Sequence, residues 1–573
     1  MSRAVDVVPY ETLQQPLSPF FLDYLAGQAK VAPFLRPGGF EPDAIASAAQ
    51  AVGDVDRTAV AQALARQQEA RGAKEAAERA ARLAAPGAAA IVTGQPAGLC
   101  GGPLFELSKA LGTVVVSREH EATRGRPVVP VFWVASDDHD FAEVRSATVV
   151  DTTGALRTLR YDPREEPLGR PAWDITLDET VGGLVDELAK ALPAALGRDE
   201  TLEIVASCYR AGETLSSAFA RLVSRLLPEL VVLDPADAEL KRLAVPVLAR
   251  ELAEGSPSSK LALEAGQALL EAGYHQQVPV RPGFLNVFAV VDGQRRALAI
   301  ANGTVEVRGT RERWPIAEAQ KRLDGDPRAW SPSALLRPLV QDALLPTAAY
   351  VAGPAEIAYH AQIGPSYAHF GIPRPVLLPR PSLTLVEPAQ ARALEAEQLS
   401  LGDLAGDPER LVARWAREDY PDVEAAFAGV REAIERELGK LEAVLGAHDP
   451  TLRSATAATR GRALHPVVGL HEKALRALKK RDQGRADRLR RARDVLLPGG
   501  SLQERGIGLI SFVARHGLAV VPGLAERRQP FARGHQVVWL RGSQTSPIRR
   551  SAAPERWRAS SQISWRAAAT RST

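Results

Sequence analysis

The chain contains little cysteine, with two residues, Cys100 and Cys208, in a length of 573. So few thiols cannot form a framework of disulfides, and they cannot supply a zinc site of the Cys₄ or Cys₃His type. No zinc site is therefore expected. A cysteine content this low is typical of a protein from a reducing compartment.

Long apolar runs are also missing. No run approaches the roughly 18 residues that a membrane-spanning helix needs. The first residues, MSRAVDVVPYETL, lack the basic start and the apolar stretch of a secretory signal. We therefore expect a cytoplasmic protein that has no membrane partner.

An excess of basic charge is missing outside the C-terminal tail. Residues 541–573 contain seven Arg and one Glu, a net charge of +6, whereas the whole chain carries +3, so the remaining residues carry −3. Binding to nucleic-acid phosphates requires Lys and Arg clustered on a folded face, so no nucleic-acid partner is expected. The tail has no apolar period and is predicted to be disordered.

The chain does contain two apolar runs that end in unusual loops. The first, within IVTGQPAGLCGGPLFELSK at 91–109, runs into a glycine-rich loop and then a helical pattern. The second, within PVVPVFWVASDDHDFAEV at 127–144, runs into an acidic turn. Strand, loop, helix and strand in this order predict a βαβ unit. Both loops should then open on the same edge of a parallel sheet, where ligands bind.

The glycine loop is the first candidate site. Glycines allow the backbone to approach a ligand closely, and the helix N-terminus that follows favours an anion. The alternative is a tight turn that binds nothing, and Cys100 within it is predicted to be a small filler. The residues predicted here to bind substrate or nucleotide are Thr93, Gly94, Gln95, Gly98, Gly101, Gly102 and Lys109.

The acidic turn Asp137-Asp138-His139-Asp140 is the second candidate site. Four ionisable side chains in a row repel one another and contribute nothing to a core, but such clusters suit proton transfer. They also suit binding of the Mg²⁺ that accompanies a nucleotide. The alternative is a solvated turn in which Asp138 or Asp140 caps the next helix. We predict Asp138, His139 and Asp140 as catalytic residues.

A third loop follows a later apolar run, where Ala348–Ala352 meets Gly353-Pro354. The helix that begins there carries Glu356, Tyr359 and Gln362 on one face at a spacing of three residues. These three side chains and Gly353 are predicted to line the same pocket. The alternative is an ordinary amphipathic helix.

The length of the chain exceeds one simple core, and the pattern of runs predicts an α/β protein. From Val423 to Leu445 and from Leu475 to Leu496, apolar residues recur in a seven-residue frame, which indicates an antiparallel helical coiled coil that can pair two chains. The predicted regions are 1–150, N-terminal helices and the first half of the core; 151–330, connecting inserts with a core strand near 230–235; 331–388, the second half of the core; 389–498, the coiled coil; and 499–540, an α/β return.

Four collinear motifs resemble one known family. They are TGQPAGLCGGPL, PVVPVFWVASDDHDFAEV, LLRPLVQDALLPTAAYVAGPAEIAYHAQ, and GSLQERG at 500–506. Together they are similar to the bacillithiol biosynthesis cysteine-adding enzyme. The resemblance implies a Rossmann-like core interrupted by two connecting inserts, and a coiled-coil domain that supports a homodimer. It also implies a reaction that joins the carboxyl group of L-cysteine to the amine of glucosaminyl malate.

Such a reaction needs activation, because a carboxylate does not react with an amine at neutral pH. We expect ATP, with Mg²⁺ as a candidate companion ion, to activate cysteine through an adenylate or an acyl phosphate. Arg337 is preferred over the more distant Arg380 as the cation for the malate carboxylates. Two alternatives stay open, which are a nucleotidyltransferase acting on another small acid and a nucleotide-binding coiled-coil scaffold without catalysis.

Overall fold

The computed structural model describes residues 5–540 apart from 53–56, 408–410, 412–413, 416–417 and 482. The tail at 541–573, which the sequence predicts to be disordered, lies outside the described residues. The strands are β1 (Val5–Val8), β2 (Ala89–Gln95), β3 (Val128–Val134), β4 (Ser146–Val150), β5 (Leu156–Arg160), β6 (Val231–Leu233), β7 (Phe284–Val291), β8 (Gln294–Ala301), β9 (Thr304–Val307), β10 (Arg313–Pro315), β11 (Trp330–Pro332), β12 (Thr347–Ala352), β13 (Val376–Pro379), β14 (Leu383–Val386) and β15 (His535–Trp539).

The α-helices cover most of the remaining chain. They are α1 (Pro19–Leu25), α2 (Pro42–Ala51), α3 (Thr58–Ala70), α4 (Lys74–Ala81), α5 (Leu104–Arg124), α6 (Phe141–Val144), α7 (Val181–Ala191), α8 (Arg198–Cys208), α9 (Leu215–Leu226), α10 (Ala238–Ala253), α11 (Pro257–Glu271), α12 (Ile316–Gly325), α13 (Arg337–Leu344), α14 (Pro354–Phe370), α15 (Pro388–Ala396), α16 (Leu401–Ala405), α17 (Pro421–His448), α18 (Thr451–Arg481), α19 (Gln483–Leu496), α20 (Gln503–Gly506), α21 (Leu509–His516) and α22 (Val520–Arg527).

A five-stranded parallel sheet forms the centre of the fold, in the order β13-β12-β2-β3-β6. β2 and β3 have the sequences AAIVTGQ and VVPVFWV, and every residue but Gln95 is buried. Such continuous apolar strands need cover on both faces, and α5 packs against both as it crosses between them. The strands' carboxyl ends therefore share one edge. The predicted α/β fold with a parallel sheet is confirmed.

A second five-stranded sheet, in the order β10-β9-β8-β7-β11, is antiparallel and lies within the insert. Two of its hairpins turn at Asp292-Gly293 and Asn302-Gly303, and all four residues have φ between +50° and +73°. Two-residue turns with positive φ at both positions match the twist of the strands that they join. These turns fix the register that brings Arg295 on β8 towards the central sheet.

A third sheet joins the two ends of the described chain. β1 pairs antiparallel with β15, and β15 pairs parallel with β14. The strand at the start of the chain therefore depends on a partner more than 500 residues away.

The helical domain is built on a long hairpin of α17 and α18, which pack against each other. Within this hairpin His471 stacks on Phe427, with 4.5 Å between the ring centroids, and its Nε2 lies 2.6 Å from Glu424. Several apolar side chains of the hairpin stay exposed, among them Val444 at 57% and Leu470 at 59%. The predicted helical coiled-coil domain is confirmed, but its predicted second seam, from Leu475 to Leu496, is not. The chain becomes helical again directly after the turn at 449–450, so α17 pairs with α18, whereas most of the predicted seam lies on α19, which packs against α15.

Candidate active site

Two neighbouring cavities open at the carboxyl edge of the central sheet. Cavity A, of about 830 Å³, lies between the ends of β2, β3 and β12, the N-terminal segment 10–21 and the segment 501–505. Its walls therefore come from both ends of the described chain as well as from the core. The edge that the βαβ pattern predicts to bind ligands is the edge on which this cavity opens.

Cavity B, of about 600 Å³, lies between the end of β3, the insert segment 278–288, β8 and the segment 332–337. Trp133, Ala135 and Arg337 border both cavities. Molecules held in the two cavities would meet at these three residues.

The end of β2 forms part of cavity A and is fixed by a buried lysine. Gly94 and Gln95 line the cavity, and the fully buried Lys109 Nζ donates to Gly94 O at 2.7 Å and to Glu356 Oε2 at 2.6 Å. A side chain at Gly94 would bring a Cβ within 2.9 Å of Trp133 O, which explains the glycine there. Lys109 thus joins the glycine loop to the start of α14.

Glu356 is held by three donors at the start of α14. Besides the Lys109 contact, it accepts from Gly353 N and from Tyr350 Oη, each at 2.7 Å. Burial raises the pKa of Glu356, but Lys109 and these hydrogen bonds outweigh burial, so the pKa lies below its usual value. The carboxylate therefore stays charged and positions the wall of cavity A.

Arg337 lies at the boundary of the two cavities and is held by uncharged groups. Its Nη1 donates to Gln341 Oε1 at 2.8 Å, and its Nη2 donates to Tyr350 Oη at 3.2 Å and Tyr359 Oη at 3.5 Å. Because these partners are neutral, the positive charge remains available to an anion in either cavity.

The remaining glycines of the loop face the protein interior. Ideal Cβ atoms at Gly98 and Gly102 would lie within 3.0 Å of Glu106 Oε1, and one at Gly101 would meet Leu222. None of the three lines cavity A or cavity B. They let the loop fold over the buried Glu106, and their predicted ligand contacts stay a prediction.

Three further predicted or considered residues line neither cavity and support the surrounding structure instead. They are Cys100, Thr93 and Gln362. Burial raises the pKa of the Cys100 thiol to about 12, which agrees with a filler. Thr93 Oγ1 donates to Val351 O at 2.8 Å and so joins β2 to β12. The Gln362 amide accepts from Val278 N at 2.8 Å and donates to Val278 O at 3.0 Å, and it thereby holds a segment that lines cavity B.

The four residues of the acidic turn are used differently. Asp137 and Asp138 line cavity B, whereas His139 and Asp140 line neither of the two cavities. Asp137 Oδ1 accepts from the buried Lys241 Nζ at 2.6 Å. Asp140 Oδ1 accepts from Glu143 N at 3.1 Å and caps α6, as in the capping alternative.

Some residues that complete the cavities carry no signal in the sequence. Tyr10 reaches cavity A from the N-terminal segment, and Arg295 reaches cavity B from β8. Arg380, the alternative to Arg337 in the sequence analysis, lines cavity A, and its Nη2 donates to the buried Glu504 Oε1 at 2.7 Å. The GSLQERG motif, which contains Glu504 and Arg505, also pointed to this part of the site.

Comparison with known families agrees with this architecture. Residues 5–381 match the model "Bacillithiol biosynthesis BshC, N-terminal Rossmann-like domain", and residues 383–540 match "Bacillithiol biosynthesis BshC, C-terminal coiled-coil domain". The chain belongs to the BshC family. The family resemblance of the four sequence motifs is thereby confirmed.

Curated relatives carry the name "Putative cysteine ligase BshC". One from Salinibacter ruber is 34% identical over 526 residues, which cover 90% of this chain and 95% of the relative. One from Koribacter versatilis is 33% identical and covers 88% and 94%, and one from Chlorobaculum tepidum is 34% identical and covers 80% and 84%. This member of the BshC family is accordingly an enzyme of the ligase class.

The described part of this BshC-family chain contains neither a cluster of metal ligands nor a single helix that could span a membrane. Within that part, no group of three or more His, Cys, Asp or Glu side chains is arranged to hold a metal ion. Within the same part, no single helix is long and apolar enough to cross a membrane. The helices α21 and α22 are together long and apolar enough, but they are bent by 109° relative to each other. Their apolar side chains are buried in the core.

Proposed function

We propose that this protein joins L-cysteine, through its carboxyl group, to the amine of glucosaminyl malate, and that ATP activates the carboxyl group. The observation that carries this proposal is the meeting of two cavities at Trp133, Ala135 and Arg337. A condensation needs two substrates that touch at one point, and two adjoining cavities supply that arrangement.

Cavity A is assigned to ATP and cysteine. Arg337, Arg380 and Arg505 line it, and these cations favour the phosphates of a nucleotide. Gln95 lines the same cavity and would hold the cysteine. Mg²⁺ would enter bound to the triphosphate and would keep several of its water ligands. The carboxylate of Glu143 lies on the wall of the same cavity.

Cavity B is assigned to glucosaminyl malate. Asp137 and Asp138 lie at its edge towards cavity A, where an amine would have to be placed. Arg281 and Arg337 line it as well and would pair with the malate carboxylates. Asp137 is already paired with Lys241, so Asp138 is the carboxylate of this turn that remains for the amine.

The test uses purified full-length protein with cysteine, glucosaminyl malate, ATP and Mg²⁺, followed by mass spectrometry. The expected result is the bacillithiol mass with one nucleotide consumed per product. AMP as the second product would indicate an adenylate, and ADP an acyl phosphate. Absence of both product and nucleotide turnover would refute the proposal, and product without ATP would refute the activation step alone.

The hairpin of α17 and α18 is proposed to pair two copies of the chain. Its exposed apolar residues include Val444 and Leu470, and a second copy would cover such side chains in a coiled coil. The substrates, ATP and the low cysteine content together support a cytoplasmic location for the homodimer.

A further inference from the structure

Two of the four ionisable residues of the acidic turn already have hydrogen-bond partners within the protein. Asp137 is paired with Lys241, whose Nζ also donates to Trp330 O at 2.8 Å. Asp140 caps α6. These two carboxylates therefore have structural partners, and the choice of a proton acceptor for the amine falls between Asp138 and His139.

His139 is held by an arginine from the insert sheet. Arg295 Nη1 lies 3.2 Å from His139 Nδ1. A guanidinium has N–H donors and no acceptor, so Nδ1 must present its lone pair to Arg295. A neutral imidazole has one protonated nitrogen, and the proton must then be on Nε2.

Arg295 is itself fixed in place. Its Nε donates to Ser331 Oγ and its Nη2 donates to Pro332 O, each at 2.9 Å. The guanidinium carbon lies 3.9 Å from the centre of the Phe288 ring, and 9% of the side chain is exposed. The arginine therefore cannot turn away from His139 without breaking these contacts.

The charge of Arg295 also opposes protonation of His139. Asp138 Oδ1 lies 3.6 Å from Nδ1, farther than the 3.2 Å to Arg295 Nη1, and a proton on Nδ1 would place its N–H against the N–H of Arg295. Burial, and after it Arg295, lower the pKa of His139, although Asp138 and Asp140 act in the opposite direction. A neutral ring with its proton on Nε2 can donate a hydrogen bond there, whereas its one basic lone pair, on Nδ1, faces Arg295 and is not available to take a proton.

We propose that Arg295 fixes His139 as the Nε2–H tautomer and thereby leaves Asp138 as the proton acceptor for the substrate amine. Asp138 lines cavity B, and its Oδ1 accepts from His139 N at 2.7 Å. Arg295 Nη1 lies 3.7 Å from the same Oδ1, so both contacts leave Oδ2 unused. Arg295 is a positioning residue in this scheme, because it acts through His139 and Asp138.

The proton transfer to Asp138 that we propose rests on the proposed function. The substrate ammonium gives one proton to Asp138, and the freed lone pair attacks the activated carbonyl carbon of cysteine. The C–N bond forms, and the C–O bond to the nucleotide or phosphate breaks with its electron pair. The nitrogen loses a second proton, to the leaving phosphate oxygen or to water, and becomes the amide.

Nitrogen NMR of the full chain, labelled with ¹⁵N-histidine, tests the tautomer without any turnover. The chain has ten histidines, and comparison with His139→Asn identifies the signals of His139. Nδ1 should give the shift of an unprotonated ring nitrogen and Nε2 that of a protonated one. Arg295→Met should let the proton move to Nδ1. A protonated Nδ1 in the unchanged protein would overturn the proposal, whether or not the protein proves to be a ligase.

The matched control for the NMR experiment is Arg296→Met. Arg296 is the next residue on β8, and successive side chains of a strand point to opposite faces. Its replacement should leave the His139 signals unchanged. The same shift in both variants would mean that Arg295 has no special effect on His139, which would also overturn the proposal.

Kinetics test the second half of the proposal. Asn places an acceptor oxygen near the position of Nδ1, whereas Gln places one near Nε2, so His139→Asn should keep most of the turnover and His139→Gln should lose more. Asp138→Asn should lower kcat by roughly 10²–10⁴-fold, which is the usual contribution of a general base, with unchanged thermal melting. Near-normal kcat in Asp138→Asn, or equal losses in the two His139 variants, would contradict the assignment.

Discussion

At the scale of residues, the site contains buried charged side chains that are paired with other charged side chains of the protein. Lys109 is fully buried and contacts the glycine loop and α14 at once. Glu356, its partner, also holds Gly353 and Tyr350. A buried pair of this kind contributes little net free energy, but loss of one partner leaves an uncompensated charge.

Replacement of Lys109 alone should therefore be costly. We expect Lys109→Met to lower the free energy of unfolding by about 3–5 kcal/mol, because Glu356 would be left without its cation. Urea denaturation measures this loss. The double variant Lys109→Met with Glu356→Gln should recover part of it. A double variant that loses the sum of the two single effects would show that the residues do not interact.

At the scale of elements, a buried histidine of β15 joins this strand to β14 and to the residue before it. His535 Nδ1 lies 2.8 Å from Ser382 Oγ, and its Nε2 lies 2.8 Å from Thr384 Oγ1. Burial lowers the pKa of His535 to about 4. The folded protein thus holds this ring neutral at pH values at which an unfolded chain would protonate it.

This difference makes the free energy of unfolding decrease as the pH falls. Because the folded pKa is below the unfolded value, stability is full above pH 6.5 and is lost as the pH falls towards 4. His535 should account for a loss of about 2 kcal/mol between pH 7 and pH 5. Urea denaturation at the two pH values measures it, and His535→Gln should show a correspondingly smaller loss. An equal loss in that variant would refute this attribution.

The sequence was sufficient to predict elements but not their long-range partners. Buried runs such as VVPVFWV predicted parallel strands, and their loops predicted the edge on which cavities A and B open. The contacts of Lys109 with Glu356 and of Arg295 with His139 join residues 247 and 156 positions apart. No local pattern encodes such pairs, because they arise from the packing of separate elements.

The inner glycines show a second limit of prediction. A glycine loop before a helix indicates a phosphate site, yet Gly98 and Gly102 make room for Glu106. Close approach to a ligand and close approach to a buried side chain impose the same requirement on the backbone. The sequence alone cannot distinguish these two uses.

At the scale of the whole molecule, the exposed hairpin of α17 and α18 is the surface that we propose pairs two copies of the chain. Light scattering after size exclusion should give twice the chain mass of 61.4 kDa. Val444→Glu with Leu470→Glu should shift the mass towards the monomer, because charges would enter the apolar contact. Leu196→Glu is the control, since Leu196 is 79% exposed outside the hairpin. A monomeric parent protein would contradict the proposed pairing.

The pairing of β1 with β15 has a consequence for protein synthesis. The ribosome makes Val5–Val8 more than 500 residues before their partner strand, His535–Trp539. At 5–20 residues per second, β1 waits roughly half a minute to two minutes for its partner strand. The segment 501–505 of cavity A also leaves the ribosome late. A nascent or prematurely terminated chain thus cannot form a complete active site, so unfinished molecules should consume neither ATP nor cysteine.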